Sequence, residues 1–262
     1  MKIVKLLAFT CLLLGFISCG KKEKSSQREQ SEKPKITIAT AANMQFAMAE
    51  LTKEFTKQTA IECEMVISSS GKLTAQIKEG APYDIFISAN MKYPWEVYHS
   101  GLAENKPKIY AYGKLVLWTM VEGIEPSLDL FTDKSIHHIA LANPKTAPYG
   151  LAATDVLDHH NIYEKVKGKL VFGESISQTN QFINSKAAEI GFTALSVVLS
   201  PEMRGKGKWI EMEESTYSPI EQGVVVIKHD RPTNKIAIKF YEFLFSDKAQ
   251  KVLTDFGYAI HE

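Results

Sequence analysis

Three short stretches of this 262-residue chain combine small, hydroxyl-bearing and turn-forming residues just ahead of an apolar helical period. They are Thr40-Ala41-Ala42-Asn43, Ser68-Ser69-Ser70-Gly71 and Asn143-Pro144-Lys145-Thr146-Ala147-Pro148-Tyr149-Gly150. Each follows a strand-like run, so each lies where the carboxyl end of a strand meets a helix start, the place where open α/β sheets bind ligands. A helix start carries unpaired N–H groups and a partial positive charge, and hydroxyls add further donors, so the chemistry on offer is the holding of an anion. Asn43 is also expected to cap the helix that follows it. No one stretch is specific; recurrence at matching places in two halves of the chain gives the pattern its weight.

The elements that would position these stretches follow from periodicity. Strands are predicted at residues 36–39, 62–67 and 84–87, with helices at 44–57 and 73–78 between them. A strand-helix-strand order implies right-handed crossovers and parallel pairing. A second cycle begins after Tyr112, with strands at 115–118, 139–141, 170–172 and 190–192 and helices at 151–160 and 178–185. The final strand, 223–227, and helices 236–245 and 248–256 leave no room for a third domain and are expected to return to the first lobe. The predicted fold is α/β and two-lobed, each lobe a mixed, mostly parallel sheet flanked by helices. Lobe I spans residues 36–114 plus 221–262 and lobe II 115–220, with hinges near residues 112–115 and 219–223.

Ahead of the lobes, Lys2 and Lys5 precede an apolar run at residues 6–17. It is shorter than the roughly 20 residues a spanning helix needs and reads as a secretory signal over residues 1–18. The end of that run, Gly15-Phe16-Ile17-Ser18-Cys19-Gly20, resembles the lipobox of bacterial lipoproteins, departing from it at Phe16, where Leu is usual. The resemblance implies that Cys19 becomes the lipidated first residue, on a polar, flexible tether over residues 19–35. The chain is then expected in the cell envelope, held to a membrane by lipid and facing the periplasm or the exterior. Cys63 is the cysteine left over, so no intramolecular disulfide is expected and its thiol reads as buried and structural.

Composition excludes several function classes. The 31 basic and 30 acidic residues leave no basic excess for nucleic acid, and 45% hydrophobic content argues against disorder. The balance is regional: without the first 35 residues, 23 basic and 27 acidic residues remain, about −4. A domain of that sign has to hold an anion through local N–H and O–H donors. The Gly-x-Ser-x-Gly, His-Glu-x-x-His and phosphate-loop patterns are absent, so no enzyme activity is expected. Asp84 reads as shaping the lobe junction, and the pairs His137-His138 and His159-His160 as surface residues rather than cation ligands. The run Arg204-Gly205-Lys206-Gly207-Lys208 reads as a solvated turn.

Taken together, Ile36-Thr37-Ile38-Ala39-Thr40-Ala41-Ala42-Asn43, Ser69-Ser70-Gly71-Lys72-Leu73-Thr74-Ala75-Gln76-Ile77, Gly80-Ala81-Pro82-Tyr83-Asp84-Ile85-Phe86-Ile87-Ser88-Ala89 and the Asn143-to-Gly150 turn resemble the molybdate-binding proteins of ABC transporters. The similarity runs in order over residues 36 to 261. It implies a type II periplasmic binding fold that clamps molybdate or tungstate between its lobes and delivers it to an ABC permease, as a monomer and without a cofactor. It also implies the contacts: Ala42 and Asn43 in the first loop, the Ser70 hydroxyl and N–H in the second, and backbone N–H groups at Tyr149 and Ile176. A tyrosine that many members place on the anion is replaced here by Ala194, and the Tyr149 hydroxyl is the candidate substitute. Neutral donors suffice: six hydrogen bonds to a charged group, at about 1.5–3 kcal/mol each, give roughly 9–18 kcal/mol before costs. Micromolar to nanomolar binding requires about 8–12 kcal/mol. The alternatives are a binding protein for another tetrahedral oxyanion, sulfate or phosphate, or for a cation such as Fe3+ or Zn2+.

Overall fold

The computed structural model describes residues 34–260, so the signal over residues 1–18, Cys19 and the tether up to residue 33 lie outside the described residues. Within them the strands are β1 (Lys35–Ala41), β2 (Glu62–Ser68), β3 (Ile85–Ser88), β4 (Lys108–Gly113), β5 (Leu115–Thr119), β6 (Ile139–Ala142), β7 (Leu170–Gly173), β8 (Ile190–Ala194), β9 (Lys208–Glu211) and β10 (Ile220–Val226). The helices are α1 (Gln45–Thr59), α2 (Ser70–Lys78), α3 (Lys92–His99), α4 (Pro148–His159), α5 (Tyr163–Val166), α6 (Ile176–Asn184), α7 (Leu195–Val198), α8 (Asn234–Phe243) and α9 (Asp247–Asp255).

Two five-stranded sheets share one plan. Their orders are β2-β1-β3-β10-β4 and β7-β6-β8-β5-β9. In the first, β1 pairs parallel with β2 and β3, while β10 runs antiparallel to β3 and β4. In the second, β6 pairs parallel with β7 and β8, while β5 runs antiparallel to β8 and β9. Four strands of each sheet therefore point one way and one is reversed, the mixed, mostly parallel sheet expected. The reversed strands are those that follow a change of sheet. The chain leaves the first sheet at Gly113, enters the second at Leu115, and returns between Glu211 and Ile220.

Alternation along the strands divides the core. Ile36, Ile38, Ile85 and Ile87 pack on one face of the first sheet with α1, α8 and α9, while Ala39 and Phe86 turn to the other face with Leu73 and Val97. Phe55 and Phe240 meet edge to face at 5.0 Å between α1 and α8. Each such side chain contributes about 1.5–3 kcal/mol on burial. Strands β3 and β5 are buried throughout, because helices cover both faces of each sheet.

Several expectations need correction. Helices α2, α4 and α6 begin at Ser70, Pro148 and Ile176, two or three residues before the predicted starts. Their first turns lie where the two sheets meet and are buried by both lobes, so burial there does not follow one helical face and shows no apolar period. Helix α3 and strands β4 and β9 were not foreseen as elements. In α3 the buried positions are Tyr93, Pro94 and Val97, too few and too mixed to mark a helical period, and Pro94 is tolerated because it lies in the first turn. Lys208, assigned to the solvated turn, opens the edge strand β9. Asp84 does not shape the lobe junction. Its carboxylate accepts from the Thr37 N–H at 2.7 Å and the Thr233 hydroxyl at 2.5 Å, pairs with the Arg231 guanidinium at 3.3 Å, and lies 2.9 Å from Nε2 of His229. Those partners knit the first sheet to the β10–α8 connection, at the ends of β1 and β3 away from the helix starts.

Candidate functional site

A small, tightly closed cavity of about 10 Å³ lies between the carboxyl ends of the two sheets, lined by Ala41, Ala42, Asn43, Ser69, Ser70, Ala89, Ala147, Pro148, Tyr149 and Ile176. All five sequence-predicted site residues, Ala42, Asn43, Ser70, Tyr149 and Ile176, come together in it. None of the lining residues is charged. The first six come from the lobe built on the first sheet, lobe I, and the last four from lobe II.

On the lobe I side, Ser70 is the first residue of α2 and is completely buried. The Ala89 N–H donates to its hydroxyl oxygen at 3.0 Å. A serine hydroxyl has one proton and two lone pairs; with a lone pair engaged by Ala89, the proton remains to be donated into the cavity. The Ser70 N–H has no partner, whereas the next one, Gly71 N–H, is taken by the Thr146 carbonyl at 2.9 Å. Ser69 was missed as a site residue. Its buried hydroxyl makes no cap bond to α2 and has no hydrogen-bond partner. The signal was present in the run Ser68-Ser69-Ser70, but spacing alone did not say which hydroxyls face inward.

Lobe II supplies main chain. Pro148 at the start of α4 has no N–H, and the Gly150 and Leu151 N–H groups both bond the Ala147 carbonyl, at 2.9 and 3.2 Å. The Tyr149 N–H is thus the one donor left over in that turn. At α6, the Ser175 hydroxyl caps the Gln178 N–H at 3.4 Å, which leaves the Ile176 N–H unpaired at the first helical position. Both groups carry the partial positive charge of a helix start. The side chains at these positions, an aromatic ring and a branched aliphatic, serve as walls.

Asn43 behaves differently from expectation. It caps nothing: a 3₁₀ turn, Ala42–Met44, leads into α1, and neither cap position makes a side-chain bond. Instead its amide donates to Gln222 and to the Tyr258 hydroxyl, each at 2.9 Å, which uses both amide protons. Its main-chain carbonyl accepts from the Ser196 hydroxyl of lobe II at 2.8 Å. Asn43 therefore shapes the cavity, and its side-chain donors are already committed. Burial pushes the Tyr258 phenol up to about 12. Burial also pushes Tyr149 well above the ordinary phenol value, with Tyr258, Tyr110 and Tyr217 adding to the effect and Asn43 opposing it. Both phenols stay neutral at ordinary pH. Ala194, at the end of β8, is buried and pairs with Leu115 at the lobe crossing.

Residues 36–259 match the family model of the bacterial extracellular solute-binding proteins. The chain belongs to this family. It is 33% identical over 227 residues to the molybdate-binding protein ModA of Azotobacter vinelandii, covering 86% of this chain and 90% of that one. A putative ABC transporter substrate-binding lipoprotein of Bacillus subtilis, YvgL, is 29% identical over 96% of this chain and 95% of its own. The solved periplasmic molybdate-binding protein of Azotobacter vinelandii superposes with a TM-score of 0.82 at 32% identity, covering 87% of this chain and all of that one.

As in any solute-binding protein, what joins the lobes around the cavity bears on capture. Besides the Gly71–Thr146 bond, the Tyr93 hydroxyl donates to the Lys145 carbonyl at 3.2 Å and Ser177 to Gln45 at 2.9 Å. Lys72 and Glu174 form an ion pair at the mouth. The histidine pairs 137–138 and 159–160 are exposed, and no cluster of ligating side chains suited to a cation occurs among the described residues. Cys63 is half-buried in β2, and burial pushes its thiol up to about 11, the environment of an inert thiol.

Proposed function

We propose that this solute-binding protein captures molybdate, or tungstate, in the cavity between its lobes and hands it to an ABC permease. The observation that carries the reading is the donor set: three unpaired N–H groups at Ser70, Tyr149 and Ile176 and two serine hydroxyls line one uncharged cavity. Such a set suits a fully deprotonated tetrahedral dianion, which needs donors and offers none in return. It does not suit a cation, which needs carboxylate, imidazole or thiolate. The relatives named for molybdate support the choice among oxyanions. Ser69, Ser70, Tyr149 and Ile176 are assigned direct contacts, with Ala42 and Asn43 forming the wall behind them.

Lobe closure about the crossings at residues 113–115 and 212–219 buries the bound anion and gives the permease a shape that differs from the empty one. Attachment through Cys19 to a membrane, outside the cytoplasm and as a monomer, completes the proposal. The similarity to a named lipoprotein over nearly the whole chain supports the anchor. Titration calorimetry with molybdate, tungstate, sulfate and phosphate tests the ligand. Binding of the first two at micromolar concentration or below, with sulfate much weaker, is expected; no heat with molybdate contradicts the assignment.

A further inference from the structure

Tyr149 belongs to the cavity and to the hinge at once. Its N–H opens into the cavity, and its ring, 2% exposed, forms part of the wall and carries a buried hydroxyl to Gly113 at the lobe crossing. The space that hydroxyl occupies is set by the main chain beside it. A Cβ at Gly113 would overlap the Tyr149 hydroxyl and would stand 3.1 Å from Cζ of that ring and 2.8 Å from Nε2 of Gln222. Gly113 is not in the left-handed region of φ, so space rather than backbone conformation requires glycine there. It is also the last residue of β4, paired with Ile220 at the start of β10, so both lobe crossings meet beside it.

We propose that Gly113 is a positioning residue for lobe closure. Its missing side chain is the seat into which the Tyr149 hydroxyl slides, and with the seat open lobe II reaches the anion held by Ser70. The inference rests on the reading that the cavity takes molybdate. The start of α4 has no freedom of its own to absorb a clash. A Cβ at Gly150 would overlap the Ala142 carbonyl, and the Asn143 carbonyl accepts from the Thr146 and Ala147 N–H groups at 3.1 and 2.9 Å. The turn before α4 is thereby fastened to the end of β6. The Gln222 amide, whose Nε2 makes only long bonds of 3.4 and 3.3 Å to the Ala89 and Ile220 carbonyls, gives by a few tenths of an ångström in either background, so the Tyr149 hydroxyl is the contact that decides. A methyl group at position 113 has to be relieved by the angle between the lobes, which withdraws the Tyr149 and Ile176 donors from the anion without touching it.

The test is a calorimetric titration with sodium molybdate of the wild type, Gly113→Ala, Tyr149→Phe and the double variant, with folding checked by circular dichroism. Gly113→Ala is expected to weaken binding about tenfold or more, and the same substitution in the Tyr149→Phe background by less than about threefold, because the hydroxyl it would strike is gone. If Gly113→Ala fails to fold but the double variant folds, the seat is supported by the same logic. Equal losses in both backgrounds, unchanged binding by Gly113→Ala, or failure of both variants to fold overturns it. A wild type that takes up no molybdate overturns the functional reading and the closure role with it, whereas the other adverse results leave that reading standing.

Discussion

Lobe I meets the cavity chiefly with side chains, the hydroxyls of Ser69 and Ser70 beside the one N–H of Ser70, while lobe II meets it with main chain alone, the N–H groups of Tyr149 and Ile176. The two sheets behind them have the same strand plan, and α2, α4 and α6 each start at the carboxyl end of a strand. The difference lies in what evolution can alter. A hydroxyl donor disappears with one side-chain change, whereas a main-chain donor survives every substitution except proline. Lobe I therefore depends on residue identity, and lobe II on the backbone being held where it is.

The comparison is broken most severely by Ser70→Ala. Molybdate binding is expected to weaken by about 1.5–3 kcal/mol, since a bond to a charged group is lost in a dry cleft. Thermal stability should fall too, because the Ala89 N–H loses its acceptor. An unchanged dissociation constant would remove Ser70 from the site. On the lobe II side, Ile176→Pro deletes the N–H together with the branched side chain, at a first helical position where proline is accepted, after a residue already extended at φ −153°. A loss near the lower end of that range, about 1.5 kcal/mol, is expected, with Ile176→Val binding like the wild type. If the valine variant loses as much as the proline variant, the side chain rather than the N–H matters. Ser69→Ala should cost about 0.5–1.5 kcal/mol, measured by the same titration. Lys72→Ala opens the exposed ion pair at the mouth, and its effect is expected within about 1 kcal/mol and to vanish in high salt. Lys206→Ala, on the distant exposed turn, should change nothing.

How much of this was legible in the sequence divides along the same line. Ser70 could be found because a hydroxyl is written in the residue type, and Tyr149 because Pro148 and Gly150 flank it with turn chemistry. The paired α/β cycles were legible from periodicity, and so was the return of the last strand to the first sheet. Asn43 was placed in the cavity as an anion contact, and there it lies, but the helix cap also expected of it does not form. Its partners Gln222, Tyr258 and Ser196 are distant in the chain and meet it only after folding. The early starts of α2, α4 and α6 were hidden because first-turn residues buried by both lobes do not follow one helical face. Gly113 gave no sequence signal, since its constraint comes from a ring 36 positions away in the other lobe.

Diffraction from crystals grown with molybdate, using the anomalous signal of molybdenum to place the ion, tests the account most directly. The ion is expected in the cavity, with its oxygens within hydrogen-bond distance of the Ser70, Tyr149 and Ile176 N–H groups and of the serine hydroxyls, and with no Lys or Arg touching it. A molybdenum peak elsewhere, or a basic side chain swung onto the ion, would contradict the claim that this negatively charged domain holds its anion with neutral donors alone.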